Sequence, residues 1–470
     1  MRWIVLALLC LCGTNAFAKD AYVSMMYSNA IDQESPFQLI RTGSWKAARE
    51  ARYVKLHIYF DEPVPMSGVE VDGCIEPSDS KFSVWLNFEQ THFYTNDEGE
   101  EPEFVYPAKG GFAGKTYFAR EYPKGTEARS LTFNFESWQG VSLCGLRVYD
   151  AEGKPYHLVA PAAVGGTAIA SSTLSPLAAY DVMNLFDSRF EYAWASAGEA
   201  KGVDLVFRFD APQTIDRLRL WNGYQRSGTH CVANSRAKKI EVSGDGGYSA
   251  VLEVKDELGS QVIALPKPFT GRELRLRIAD AYVGKAYKDL VISELRFGGG
   301  GAWFMLDSLP MLRAASSANR AAFDAAGVTS ALVLNQSYQS SDPERESLSV
   351  TLRLRADGSF YLSGAAERDD EVRNYFALGK FEVALSQSAG GLRLRLFGIY
   401  YETEAYGDCN GCGRDCNRKS DAKTGKIFEE YVRVKFLPDS KPLPVLQIEN
   451  ESRGKKLPFE KLALSAEQNL

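Results

Sequence analysis

The chain has 470 residues, 45% hydrophobic and 24% charged, with a formal net charge of -6. That length exceeds what one core usually holds, so two to four domains are expected of an otherwise ordinary globular composition. There is no long basic run, so the clustered positive field that nucleic acid or an anionic lipid surface requires is missing, and neither is expected as a partner.

Taken from the start, residues 1–18 read as a secretory signal. Arg2 supplies the positive end, Ile4 to Cys12 a short apolar run, and Ala16-Phe17-Ala18 a small-x-small cleavage site before Lys19. The apolar run is too short to span a bilayer, and no later stretch is long enough for a transmembrane helix. The mature chain is therefore expected to be exported, periplasmic or secreted, in an oxidising compartment. Six cysteines follow the leader, at Cys74, Cys144, Cys231, Cys409, Cys412 and Cys416. An even number in an exported chain points to disulfides, with connectivity left open.

Residues 19–159 and 170–297 read as two copies of one unit. A single shift of 149 residues places Leu56 on Leu205, Phe60 on Phe209, Asp61 on Asp210 and Pro63 on Pro212. It also places Trp45 on Trp194, and Leu143, Leu146 and Arg147 on Ile292, Leu295 and Arg296. Agreement at separated places under one shift implies a tandem duplication. Each copy alternates: Leu56, Ile58 and Phe60 face one way, with Lys55, His57 and Tyr59 on the other side, before an Asp-x-Pro turn. Short strands with almost no helical periodicity indicate antiparallel sandwiches. Residues 160–169 and Gly298 to Gly301 read as linkers.

The segment 302–470 differs. A helix is expected over Ser317 to Gly327, with the serine as N-cap and the glycine as stop. Alternating strands follow through Leu348–Leu354, an Asp357-Gly358 hairpin turn and Phe360–Leu362, then 381–385, 392–396, 432–436 and 445–448. This predicts a small antiparallel sheet or barrel with one helix, so the chain as a whole is all-β.

Within 170–297, three pieces occur in order: YDVMNLFDSRFEYAWASAGEAKG, LWNGYQRSGTHCVANSRAKKIEVSGDG and ADAYVGKAYKDLVISELRF. Together they resemble the discoidin, or coagulation-factor type C, superfamily of galactose-binding-like modules. The nearest resemblance is to the glycan-binding module found beside some bacterial NAD glycohydrolases. The resemblance implies an eight-stranded jelly-roll sandwich that holds ligand in loops at one end, and a binding role rather than NAD hydrolysis. Residues 19–159 share it only through the repeat and lack the Asn-Gly-Tyr and Asn-x-Arg elements, so they read as a degenerate copy.

Sugars present apolar C–H faces and hydroxyl edges, and a site for them needs an aromatic platform with fixed polar groups. Asn222, Tyr224, His230, Asn234 and Arg236 could supply both: Tyr224 to stack, Asn234 to donate and accept at once, Arg236 to fork onto hydroxyls or a carboxylate. The alternative stays open that Asn234 and Arg236 brace loops, with Arg236 paired to Asp187 or Asp289. Trp194 reads as core, and Tyr282, Gly284, Tyr287 and Asp289 as shaping the loop before the last strand. Many discoidin-type lectins hold a structural calcium, and Asp187 and Glu294 match its acidic positions. Calcium takes six to eight oxygens, however, and Arg189 sits where such a loop prefers a neutral donor.

Cys409, Cys412 and Cys416 lie within eight residues, in a segment without histidine, which reads as a disulfide-stapled loop rather than a zinc site. If Cys74 pairs with Cys144, Cys231 is left to link segment three to the candidate binding loop. The expected function is an exported, non-catalytic carbohydrate-binding protein whose partner is a glycan or glycoconjugate. The alternatives are a structural or protein-interaction protein of the bacterial envelope and an uncharacterised hydrolase. Glu402 and Glu404 read as solvated charges, and no histidine stands beside a plausible Ser or Cys nucleophile.

Overall fold

The computed structural model describes residues 19–28, 34–47, 53–75, 81–87, 109–136, 140–342, 345–368, 371–384, 391–404, 426–439, 445–452 and 461–466. The leader and the cluster Cys409, Cys412 and Cys416 lie outside the described residues.

The amino-terminal unit is a sandwich of two five-stranded sheets. One sheet centres on Tyr53–Pro65, paired with Asp20–Ser28 and Glu127–Glu136; the other centres on Gly68–Gly73, paired with Ser142–Tyr149 and Thr116–Arg120. The alternation read from the sequence puts Leu56, Ile58 and Phe60 into the core. His57, on the opposite side of its strand, is buried as well. Cys74 and Cys144 form a disulfide that closes the end of the second sheet.

The middle unit repeats the pairing of Gly68–Gly73 with Ser142–Tyr149 residue for residue. Val69 pairs with Val148, Val71 with Leu146, and Gly73 with Leu143 after a bulge. Under the 149-residue shift the same registers recur as Leu218 with Phe297, Leu220 with Leu295, and Asn222 with Ile292, again after a bulge. Trp45 opposite Leu143 likewise becomes Trp194 opposite Ile292. Register is fixed by which face is buried, so a shared register with a shared bulge is strong structural support for duplication. In this unit two long strands, Asp204–Asn222 and Ser260–Tyr282, run through both layers and join them into one nine-stranded sheet.

The two expected linkers are parts of this sheet. Ala162–Val164 pairs with Ala302–Leu306, and Gly166–Ala170 pairs with Asp204–Asn222. Gly298 and Gly299 end the strand Val291–Gly299, and Gly300 and Gly301 turn it back with φ of 59° and 82°. A Cβ on Gly299 would stand 1.9 Å from the Thr214 carbonyl oxygen. Close approach and positive φ, rather than flexibility, account for the glycines.

Beyond Leu306 the helix spans Leu309–Ala325, nine residues earlier than an N-cap at Ser317 implied, with Pro310 in its first turn, where a missing N–H costs nothing. A single-turn helix, Ser330–Val333, follows. Eight strands then form a closed up-and-down barrel, from Ser337–Asp342 to Lys461–Ala466, with Tyr338 opposite Ala466 at the closure. The Asp357-Gly358 turn joins Leu354 to Phe360 as expected, with Gly358 at φ 83°. Leu352, Leu354, Phe360, Leu394, Val434 and Ile448 fill the barrel interior, and Phe323 of the long helix packs against it.

Candidate functional site

The loops at one end of the middle sandwich come together as the resemblance implied. Gly223 is bridged to Ile292 and Ser235 to Leu290, which gathers residues 223–235 and 283–290 beside the first loop, 179–203. Most of the predicted binding residues in this cluster point inward.

Asn222 completes the sheet. Its Nδ2 donates to the Ala237 carbonyl at 2.8 Å and its Oδ1 accepts from the Ala237 N–H at 2.9 Å, imitating a backbone pair. Tyr224 is only 8% exposed; its hydroxyl donates to the Glu191 carbonyl at 2.7 Å, and the Arg226 guanidinium covers its ring at 5.2 Å. Burial raises its pKa. A ring enclosed in this way has no face left for a sugar. Asn234 donates to the His230 carbonyl at 2.8 Å. Arg236 forks onto Asp256 at 2.6 and 2.8 Å and not onto Asp187 or Asp289. That pair raises the pKa of Arg236 and lowers that of Asp256. Its remaining nitrogen donates to the Asn234 carbonyl at 2.6 Å. These four residues act as loop braces because backbone groups left bare by the turns need partners once buried.

His230 does stand beside a serine, which the sequence reading overlooked. Ser227 Oγ lies 2.7 Å from His230 Nδ1 and also accepts the His230 N–H at 3.2 Å. Ser227 is the N-cap of the short helix Gly228–Ala233, and both side chains are buried, so the contact is a cap. Cys231 is a free, buried thiol packed against Gly223 and Gln225, not the partner of a segment-three cysteine.

Asp187 and Glu294 do meet, where the first loop touches the last strand. The Arg189 N–H donates to Asp187 Oδ1 at 2.8 Å and to Glu294 Oε1 at 2.9 Å, while Arg296 donates to Glu294 Oε2 at 2.8 Å. Burial raises both carboxyls, Asp187 to about 7 and Glu294 well above the usual carboxylate range, against the pull of the neighbouring arginines. Among the described residues no group of three or more His, Cys, Asp or Glu side chains is placed to hold a metal ion. A guanidinium already lies against the carboxylate, so this donor set does not fit calcium.

The same end of the sandwich is largely capped by the barrel. Arg189 donates to Asp357 at 3.1 Å, lies 3.7 Å from Glu191, and is held between the rings of Tyr27 and Tyr192, each 4.5 Å away. Burial opposes its charge, but Tyr27, Tyr192, Glu191 and Asp357 outweigh it and raise its pKa. Tyr192 donates to the Gly379 carbonyl at 3.0 Å, and Tyr180 meets Phe397 edge to face at 5.5 Å. All three units therefore meet at Arg189.

What remains open is the crest of the loops. The 283–288 loop is pinned to the short helix by N–H bonds from Lys285 to the Val232 carbonyl and from Tyr287 to the Ala233 carbonyl, at 3.0 and 2.8 Å. Gly284 permits that contact, because a Cβ there would stand 2.3 Å from the Tyr287 carbonyl oxygen. Tyr282 and Asp289 shape the loop as expected, through the Val254 carbonyl and the Gly198 N–H. The Tyr287 backbone joins in this, but its side chain is 44% exposed, on a loop whose Val283, Lys285 and Lys288 are exposed too, as is Val232 of the helix to which the loop is pinned. Its sequence signal, an aromatic between lysines in a loop, was present but indistinguishable from loop packing.

The middle unit is thus a discoidin-type sandwich with a pinned loop crest. Residues 163–298 match the model of the NAD glycohydrolase translocation F5/8 type C domain. No curated protein matches the chain. Solved structures similar to it include the paired family 32 carbohydrate-binding modules of ZmpB from Clostridium perfringens in complex with GalNAc. That likeness has 9% identity and a TM-score of 0.22, and covers 58% of this chain and 89% of that one. A chitosan-binding module of a Paenibacillus chitosanase/glucanase is similar at 20% identity and a TM-score of 0.23, covering 29% and 97%. Saccharomyces cerevisiae allantoicase is similar at 12% identity and a TM-score of 0.22, covering 56% and 81%. Among the described residues no helix is long and apolar enough to cross a membrane.

Proposed function

We propose that the chain is an exported, non-catalytic carbohydrate-binding protein whose sugar seat is the loop crest of the middle unit. The observation that carries this is Tyr287, an exposed ring on a loop whose backbone is tied down at Lys285 and Tyr287. An immobilised ring packs on the C–H face of a pyranose at little ordering cost. Lys285 and Lys288, exposed on the same loop, bring ammonium donors for hydroxyls or an acidic sugar. The family matched by residues 163–298 supports the class of ligand. Export is supported by the Cys74–Cys144 disulfide, a bond that persists outside a reducing cytosol.

A glycan array probed with the chain tests the reading. Signal on a defined set of saccharides, competed by free sugar and lost in Tyr287→Ala, is expected. Capture of an envelope protein through the same crest, unaffected by any sugar, would favour the protein-interaction alternative, which the exposed apolar Val283 and Val232 would also serve.

A further inference from the structure

Arg296 is 1% exposed, and its guanidinium is surrounded by oxygen. It donates to Glu294 Oε2 at 2.8 Å, to the Leu295 carbonyl at 2.9 Å, to the Leu185 carbonyl at 3.2 Å and to Ser188 Oγ at 2.9 Å. A longer bond, 3.4 Å, reaches the Ser24 carbonyl of the amino-terminal unit. One carboxylate, three carbonyls and a hydroxyl, drawn from three separate stretches of chain, are the kind of oxygen set a hard divalent cation gathers. Here they converge on a planar cation that is part of the chain. The other oxygen of Glu294, together with Asp187 Oδ1, accepts the Arg189 N–H.

We propose that Arg296 is the resident cation of this loop, occupying the place where the resemblance put a calcium and fastening the first loop to the last strand without a metal. Two further features agree. Ser188 is bent to φ +61°, a left-handed conformation unfavourable for a non-glycine residue, and this coincides with its hydroxyl meeting the guanidinium. In the first copy the equivalent arginine, Arg147, has Gly145 where Glu294 stands, and it turns instead to Asp72 and Glu70 on a half-exposed face. An arginine is present in both copies; only the copy with the acid uses it as an internal cation. Through Ser24 the same side chain also ties the two sandwiches together.

Thermal unfolding of the whole chain with calcium chloride or EDTA tests this. The wild type should hold its Tm within about 1 °C in either. Arg296→Ala should lose on the order of 10 °C, as expected for a broken buried pair, and calcium in the millimolar range should restore part of that loss saturably. Arg147→Ala, at the half-exposed equivalent, should change little and not respond to calcium. Saturable stabilisation of the wild type by calcium would overturn the proposal, as would an Arg296→Ala chain as stable as the wild type. If Arg296→Ala fails to fold, Arg296→Lys serves: it keeps the charge, loses the fork, and should fall between the two without a calcium response.

Discussion

Replacing Arg189 by methionine keeps most of the volume of the side chain but removes a cation that touches all three units. Its partner Asp357 keeps Ser359, whose N–H and hydroxyl reach it at 2.9 and 2.6 Å, and Lys380 remains close by. Asp357 is held well below the usual carboxylate range: burial opposes this, and Lys380 and Arg189 overcome it. Breaking a buried pair costs about 3–5 kcal/mol, and the two ring contacts at 4.5 Å add roughly 1 kcal/mol each. Lys380 offsets part of the charge left behind, so a net loss of about 3 kcal/mol is expected, or a Tm lower by roughly 6–12 °C. Calorimetry on Arg189→Met, Asp357→Asn and the double variant would measure it as a coupling of about 1–3 kcal/mol. Limited proteolysis should show the barrel released from the sandwiches in Arg189→Met. A coupling below about 0.5 kcal/mol, with an unchanged digestion pattern, would refute the view that this contact holds the units together.

The Cys74–Cys144 disulfide closes a 70-residue separation. Chain-entropy estimates give it about 4 kcal/mol, so Cys74→Ser should lower the stability of the amino-terminal unit by about 2–4 kcal/mol in chemical unfolding. His57 is buried against Thr132 Oγ1 at 2.8 Å, and burial lowers its pKa to about 3. The unfolded chain then binds the proton more tightly than the folded one. Stability from this group is complete above about pH 6.5 and drains away as pH falls toward 3, at up to about 1.4 kcal/mol per pH unit. His57→Gln should flatten the acid limb of a Tm-against-pH curve, and an unchanged slope would contradict the assignment.

The duplication was legible because its signals are local. Alternation around Leu56 and Leu205 and the paired tryptophans mark the strands from local sequence alone, whereas Asp61-Glu62-Pro63 and Asp210-Ala211-Pro212, expected as turns, lie at register shifts inside the strands Tyr53–Pro65 and Asp204–Asn222. The barrel was legible in part for the same reason, through Asp357-Gly358 and the runs on either side of it. The binding residues were not. Asn222, Asn234 and Arg236 carry the donors and acceptors a sugar needs, but those same groups suit a turn whose backbone must be satisfied, and only packing separates the two uses. Tyr224 is hidden because Arg226 and the first loop close over it, and the barrel caps the same end; nothing near position 224 encodes that docking. Gly298 to Gly301 misled in the opposite sense, since glycine marks close approach as readily as flexibility.

On the proposed reading the crest binds sugar through Tyr287, while Tyr224 only braces the loop. The direct measurement is a titration of the strongest array saccharide into the wild type, Tyr287→Ala and Tyr224→Phe. Loss of a stacking ring is expected to weaken Kd about tenfold in Tyr287→Ala. Tyr224→Phe, which removes only the hydrogen bond to the Glu191 carbonyl, should bind within about twofold of the wild type despite a lower Tm. Undiminished binding by Tyr287→Ala, or selective loss in a folded Tyr224→Phe, would contradict it.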